Sequence, residues 1–245
     1  MERRNMNKFI FDVDGTLTPS RGVIDAGFKE FFLEFANTND TYLVTGSDYA
    51  KTLEQLGEEI CNSVKCIYNC SGNDVWVRGR NVKSLNWSLP DYVREWLTTQ
   101  LVNSKFVLRT GNHLEERTGC VNFSIVGRNA TLKERQMYVK WDFETNERNK
   151  LAVEFNHTFL QLEAMIGGET GLDVYPRGKD KSQVLSDFKK EDRVYFFGDK
   201  ISFGGNDYPL AAAILRRGNG VCFEVKSWQD TFERLSYYQE ARLAS

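Results

Sequence analysis

The chain has 245 residues, 41% hydrophobic and 13% aromatic, enough for one large domain or two of ordinary size. Its formal net charge is only -2, from 32 Lys and Arg against 34 Asp and Glu, which gives no bulk electrostatic case for a nucleic-acid or membrane partner. Cys61, Cys66, Cys70, Cys120 and Cys222 are odd in number and lack C-x-x-C spacing, which argues against a disulfide framework or a zinc site. With no apolar run near the ~20 residues of a spanning helix, and no signal-type core after Met1-Glu2-Arg3-Arg4-Asn5, a soluble cytoplasmic protein is expected.

The first predicted element is an apolar strand, Phe9-Ile10-Phe11, that runs into Asp12-Val13-Asp14-Gly15-Thr16-Leu17-Thr18. Residues two apart in a strand share a side, so Asp12 and Asp14 project together beyond its end. Carboxylates this close raise each other's pKa unless a cation lies between them or each has a separate task. The lead-in is of buried-strand type, which puts the turn at the carboxyl end of a parallel strand, where open α/β sheets bind ligands. Ile24, Phe28, Phe31, Phe32 and Phe35 then fall at helical spacing. A second strand through Tyr42-Leu43-Val44 ends in the hydroxyls of Thr45 and Ser47, and Asp48 is placed to cap a helix that buries Leu53, Leu56 and Ile60. Cys66-Ile67-Tyr68-Asn69 reads as a third strand leading to Ser71-Gly72-Asn73.

From about Asp74 the pattern changes. Val75 to Val82 reads as a hairpin; Pro90 to Leu101 and Thr131 to Phe155 read as helices; Phe123 to Val126, Phe159 to Leu162 and Leu172 to Tyr175 read as strands. Without strict βαβ alternation this block is expected to be α+β. Alternation resumes after Lys181 with a helix, the strand Val194 to Phe197, a helix around Leu210 to Leu215, the strand Val221 to Val225 and a C-terminal helix. The expected fold is therefore α/β: a Rossmann-like core of residues 1–78 and 179–245, with an α+β cap at 79–178.

Lys181, just before the returning core helix, is a compact charge suited to screening repulsion between a carboxylate nucleophile and a phosphate. The strand Val194 to Phe197 ends in Gly198-Asp199-Lys200, followed by Gly204-Gly205-Asn206-Asp207, and acids on a Gly-rich loop suit a hard cation with oxygen ligands. Four such stretches in this order resemble the haloacid dehalogenase superfamily of phosphoryl-transfer enzymes. The resemblance implies Asp12 as nucleophile, Asp14 as general acid and base, Thr45 or Ser47 as phosphate donor, and Lys181 as the charge screen. It also implies a Mg2+ site from Asp12, the Asp14 carbonyl and Asp199, with Asn206 and Asp207 ligating the ion or holding its waters.

The likeness narrows further. Asp12-Val13-Asp14-Gly15-Thr16-Leu17-Thr18 with Arg21, Gly46-Ser47-Asp48, Phe197-Gly198-Asp199-Lys200 and Gly204-Gly205-Asn206-Asp207 together resemble the eukaryotic-type α-phosphomannomutase family. That family implies Arg21, Arg117, Arg128 and Arg135 as holders of the distal phosphate of a sugar phosphate, Asp173 as a sugar-hydroxyl contact, a cap that closes over substrate, and a homodimer formed through caps. Two forked arginines suit a phosphate, and a simple phosphatase needs no second clamp. The chain departs from the family pattern at Gly171, where a serine is usual, at Asn69-Cys70-Ser71-Gly72-Asn73 in place of Glu-Asn-Gly-Leu, and at Arg177 in place of an acid. Mannose 6-phosphate to mannose 1-phosphate interconversion is the expected activity. The alternatives are a Mg2+-dependent sugar-phosphate phosphatase on the same core and a non-catalytic sugar-phosphate binder. No imidazole is called for, so His113 and His157 are read as incidental.

Overall fold

Phe9 and Phe11 of the opening strand, β1 (Asn7–Phe11), are buried against one aromatic cluster and Ile10 against another, as expected of a strand covered on both faces. This arrangement comes from a computed structural model that describes residues 7–243; the Met1 to Asn5 stretch weighed above as a leader lies outside them. Among the described residues no helix is long and apolar enough to cross a membrane. The chain divides into two units, one of residues up to Ser84, Lys181–Phe203 and from Asp207 onward, the other of Leu85–Asp180 and Gly204–Asn206.

The first unit carries β1, α1 (Ala26–Thr38), β2 (Asp40–Val44), α2 (Tyr49–Ser63), β3 (Cys66–Asn69) and the hairpin β4 (Asp74–Val77) and β5 (Arg80–Ser84). Its sheet has the order β11-β10-β1-β2-β3-β4-β5, completed by β10 (Arg193–Gly198) and β11 (Gly220–Glu224). β1, β2, β3, β10 and β11 run parallel, and β4 and β5 fold back antiparallel at one edge. The hairpin thus extends this sheet, so the units divide after Ser84 and Asp180, a few residues beyond the sequence boundaries at 78 and 178. Phe28, Phe32 and Phe35 of α1, Leu56 and Ile60 of α2 and Leu235 of α7 (Trp228–Leu243) cover one face; Leu210 and Ile214 of α6 (Tyr208–Arg217) and Val184 and Phe188 cover the other. Asp48 caps α2 as expected, its carboxylate accepting from Lys51 N–H at 2.8 Å.

In this unit two helices differ from the sequence reading. The segment after Lys181 is a 3-10 helix, Lys181–Asp187, not an α-helix. α2 is interrupted at Gly57, whose φ of 78° and ψ of 162° only glycine adopts without strain.

In the second unit an antiparallel sheet of order β6-β7-β9-β8 is formed by β6 (Leu114–Arg117), β7 (Cys120–Phe123), β8 (Leu162–Gly167) and β9 (Gly171–Pro176). Val93 and Leu97 of α3 (Asp91–Asn103), Tyr138 of α4 (Leu132–Thr145) and Leu151 and Phe155 of α5 (Glu147–Thr158) pack on its Phe123, Leu172 and Val174. The single helix expected over Thr131 to Phe155 is two, broken at Asn146 in the left-handed region at φ 54°, a conformation that asparagine tolerates better than most residues. The strand expected at Phe123 to Val126 begins and ends earlier, and that expected at Phe159 to Leu162 lies later, as β8.

Candidate active site

β1 and β10 are neighbours, paired Phe11 with Phe197, and the chain leaves them in opposite directions across the sheet, β2 on one side and β11 on the other. Their carboxyl ends therefore mark the switch point of a doubly wound sheet, where side chains from two loops converge. Asp12 continues the ladder, its N–H donating to the Phe197 carbonyl at 2.9 Å. Carboxylate oxygens of Asp12, Asp199 and Asp207 all lie within 4.8 Å of one another. Lys181, fully buried, donates to Asp12 Oδ1 and to Asp207 Oδ1, each at 2.6 Å. The Asp207 carboxylate also accepts from Lys200 N–H at 3.2 Å. Gly15 makes the crowding possible: at φ +80° a Cβ there would stand 2.5 Å from the Asp199 carboxylate.

Asp14 points elsewhere. Its carboxylate accepts from Arg21 N–H at 2.5 Å, Gln55 Nε2 at 3.0 Å and Ser47 Oγ at 3.4 Å. It is not one of the three clustered carboxylates, so of the acids proposed as cation ligands only its backbone carbonyl remains a candidate from this residue. Thr45 is buried, and its Oγ1 accepts from Ser47 N–H at 3.1 Å, which closes the turn after β2. Cys70, Ser71 and Gly72 follow with three successive positive φ values of 48°, 60° and 90°, and Ser71 N–H donates to the Thr45 carbonyl at 2.8 Å. The departure from the family pattern after β3 is thus a left-handed run hydrogen-bonded to the Thr45 turn.

In the second unit, Arg117 and Arg128 converge on Glu115 of β6: Arg117 Nε donates to Oε1 at 2.7 Å and Arg128 Nε to Oε2 at 2.6 Å. Asn122, paired with Asp173 across β7 and β9, donates from Nδ2 to the Asp173 carboxylate at 2.6 Å. The side-chain space at Gly171 is taken by Asn122, whose Nδ2 would be 2.5 Å from an added Cβ. Arg135 lies on α4, buried, with Nη2 donating to Glu169 at 3.3 Å and Nη1 without a partner. Arg177, which stands where the family pattern has an acid, donates from Nε to the Leu160 carbonyl at 2.6 Å and from Nη2 to that of Leu162 at 3.1 Å, pinning the start of β8.

Residues 28–240 match the family profile described as eukaryotic phosphomannomutase. This chain belongs to the eukaryotic phosphomannomutase family. It is 34% identical over 218 residues to a phosphomannomutase of Galdieria sulphuraria, covering 86% of this chain and 87% of that one. It is 32% identical over 211 residues to one of Saccharomyces cerevisiae, with 82% and 83% covered. Among solved structures, a trehalose-6-phosphate phosphatase related protein superposes with a TM-score of 0.62 at 16% identity, over 97% of this chain and 99% of that one. That likeness speaks to fold alone, and the fold is the expected Rossmann-like α/β core with an α+β second unit.

In this member of the phosphomannomutase family one buried ammonium faces three carboxylates, and the imbalance is visible in their titration. Burial, together with Asp207 and Asp199, pushes the Asp12 carboxyl well above the ordinary range despite Lys181. Burial, Asp207 and Asp14 raise Asp199 as well. Lys181 is driven upward by Asp12 and Asp207 against the opposing effect of its own burial. An all-oxygen donor set with surplus negative charge fits a hard divalent cation. Asn206, on the loop from Asp199 to Asp207, has a buried Oδ1 without a hydrogen-bond partner. Asp12 and Asp199 bind protons more tightly folded than unfolded, so their contribution to stability is present in acid and is lost as pH rises through the window above about 4. Protons and cation compete for the same oxygens. Differential scanning fluorimetry is therefore expected to show a rise in Tm on adding a divalent cation to chelator-treated protein, growing as pH climbs through that window. At a cation concentration about 100 times Kd the gain is about 2.7 kcal/mol.

The sequence reading missed Gln55, Glu115 and Asn122. Gln55 is fully buried on α2 and reaches Asp14, Thr18 and the Gly22 carbonyl from one amide, at 3.0, 3.2 and 3.2 Å. Its signal was a polar residue beside Leu56 on the helix face read as apolar.

Proposed function

We propose that this chain interconverts mannose 6-phosphate and mannose 1-phosphate by phosphoryl transfer through Asp12, with Mg2+ as its cation. The carrying observation is the Asp12, Lys181, Asp207 and Asp199 cluster at the sheet's switch point in a chain of this family. Lys181 fixes one Asp12 oxygen and supplies a positive charge that offsets repulsion between the carboxylate and an arriving phosphoryl group. Asp12 attacks phosphorus and becomes the aspartyl-phosphate, which divides one displacement into two.

Asp14 donates a proton to the leaving sugar oxygen and, in the return step, takes one from the acceptor hydroxyl. The Gln55 amide and the Arg21 N–H hold its carboxylate in one orientation for both steps. The Ser47 hydroxyl, beside Asp14, is the phosphate donor of the second strand's turn, and Thr45 shapes that turn. Asp12, Asp199 and Asp207, with the Asp14 carbonyl and Asn206, would hold Mg2+, which when bound supplies charge to the transferring phosphoryl oxygens. The phosphoryl exchange between Asp12 and the sugar passes through a hexose bisphosphate: the aspartyl-phosphate gives its phosphoryl group to the free hydroxyl of the mannose monophosphate, and Asp12 then takes the group from the other position. Arg21, Arg117, Arg128 and Arg135 hold whichever sugar phosphate is not at Asp12, and Asp173 accepts from a sugar hydroxyl.

A sugar-phosphate phosphatase would use the same aspartates with water as acceptor. Phosphorus-31 spectra of the protein with Mg2+, mannose 1-phosphate and a catalytic amount of hexose bisphosphate separate the readings. The mutase reading expects a growing mannose 6-phosphate signal. Inorganic phosphate in its place would support the phosphatase, and an unchanged spectrum would leave only a binder.

A further inference from the structure

The two arginines of the second unit are not independent. Glu115, Asn122, Asp173 and Met165 form one row across β6, β7, β9 and β8, opposite the face that packs on the helices. From this row the Glu115 carboxylate takes the Nε–H of Arg117 on one oxygen and that of Arg128 on the other, with Arg128 Nη2 a further 3.4 Å from Oε1. Both guanidiniums are held at low exposure, 12% for Arg117 and 14% for Arg128, against 29% for Glu115. The backbone is fixed with equal care. Gly127, at φ +91°, lies so close to Gly111 that a Cβ would stand 2.3 Å from its carbonyl, and Arg128 N–H donates to the Asn112 carbonyl at 3.1 Å.

Two like charges brought this near repel, and each long side chain has many rotamers to lose. A carboxylate between them removes both obstacles before any ligand arrives, and the arginines draw the Glu115 carboxyl below its usual range in spite of burial. The same carboxylate also stands against an incoming anion. Pre-setting favours phosphate binding and Coulomb repulsion opposes it, so the sign of a Glu115 substitution decides which matters.

We propose that Glu115 is a positioning residue that sets Arg117 and Arg128 as a converging pair for the sugar phosphate that is not at Asp12. This rests on the mannose phosphate reading above. A glutamine at 115 keeps the shape but offers one acceptor oxygen and turns two donor protons toward an arginine.

The test uses the full-length protein, with Kd for mannose 1-phosphate from titration calorimetry and KM and kcat from the phosphorus-31 assay. Glu115→Gln is expected to raise Kd and KM about tenfold while kcat changes by less than about threefold, as befits loss of ground-state and transition-state binding alike. Glu115→Asp, which keeps the charge, is expected to bind more tightly than Glu115→Gln. An unchanged or lower Kd in Glu115→Gln, a fall in kcat matching the rise in KM, or Glu115→Asp no better than Glu115→Gln overturns the assignment. Wild-type binding without turnover would instead refute the mutase reading and leave the Kd comparison decisive for Glu115; no wild-type binding would refute both.

Discussion

Asp12→Asn is expected to lower mannose phosphate interconversion by about ten-thousand-fold or more while the protein remains folded. The size follows from what is removed: nucleophile deletions in enzymes with covalent intermediates cost on that order or beyond. The intact fold follows from the local charge. Asp12 is one of three carboxylates facing a single buried ammonium, and burial with Asp207 and Asp199 already holds its proton above the ordinary range. An amide there removes one repelling charge, keeps a carbonyl oxygen for Lys181, and leaves the Asp207 contact at 2.6 Å in place. In chelator, thermal melting of the variant should therefore match or exceed the wild type. The two readouts together separate chemistry from collapse. A variant that melts normally and keeps substantial turnover would place the nucleophile elsewhere, and the Asp12 assignment would fall.

Much of this site was legible because strand periodicity and turn chemistry are local. Phe9-Ile10-Phe11 reads as buried on both faces, and Asp12 follows it at the strand's end as expected. Asp199 and Asp207 stand on a Gly-rich loop after a second such strand, and the structure brings both to Asp12. Asp14 illustrates the limit of the same argument. Period two puts it on the side of Asp12 only while the backbone stays extended, and here the chain turns at Val13, whose carbonyl accepts from Thr16, Leu17 and Thr18. The Asp14 carboxylate swings to Gln55 and the Arg21 N–H instead.

What was not legible depends on contacts between distant segments. Leu114-Glu115-Glu116-Arg117 has little of a strand's apolar alternation, yet it is β6, because its edge position asks only for pairing with β7. Nothing in the local sequence singles out Glu115, whose two arginine partners come from β6 and from the segment after β7. Asn122 sits within Cys120-Val121-Asn122-Phe123, all buried, and only the register with Asp173 and the missing side chain at Gly171 explain a polar residue there. The helix break at Asn146 was hidden because no Gly or Pro marks it; an asparagine makes the left-handed turn between α4 and α5. Lys181 was found by order and residue type, although the helix expected to begin there is a 3-10 segment.

Lys181→Met is the complementary experiment, since it removes the cation and keeps the carboxylates. Lys181 is 1% exposed, and its partners Asp12 and Asp207 are 4% and 0% exposed, so the variant leaves two acids buried without their shared ammonium. Breaking a buried pair from one side costs about 3–5 kcal/mol, softened here to the extent that a proton is taken up by the acids. Urea unfolding in chelator should register that loss. Turnover should fall by about a hundred- to a thousand-fold, the scale of deleting one preorganised charge-stabilising donor. Metal binding should move the other way. With the ammonium gone, no fixed cation competes for the oxygens of Asp12 and Asp207, which keep only the neutral donors Thr16 Oγ1 and Lys200 N–H, so at a pH that keeps the acids ionised calorimetry should give a lower Kd for Mg2+ and the ion should restore more stability to the variant than to the wild type. Weaker Mg2+ binding in Lys181→Met, at a pH that keeps the acids ionised, would mean that Asp12, Asp199 and Asp207 do not act as a single anionic site, because removing a positive neighbour from an ionised site strengthens its hold on a cation.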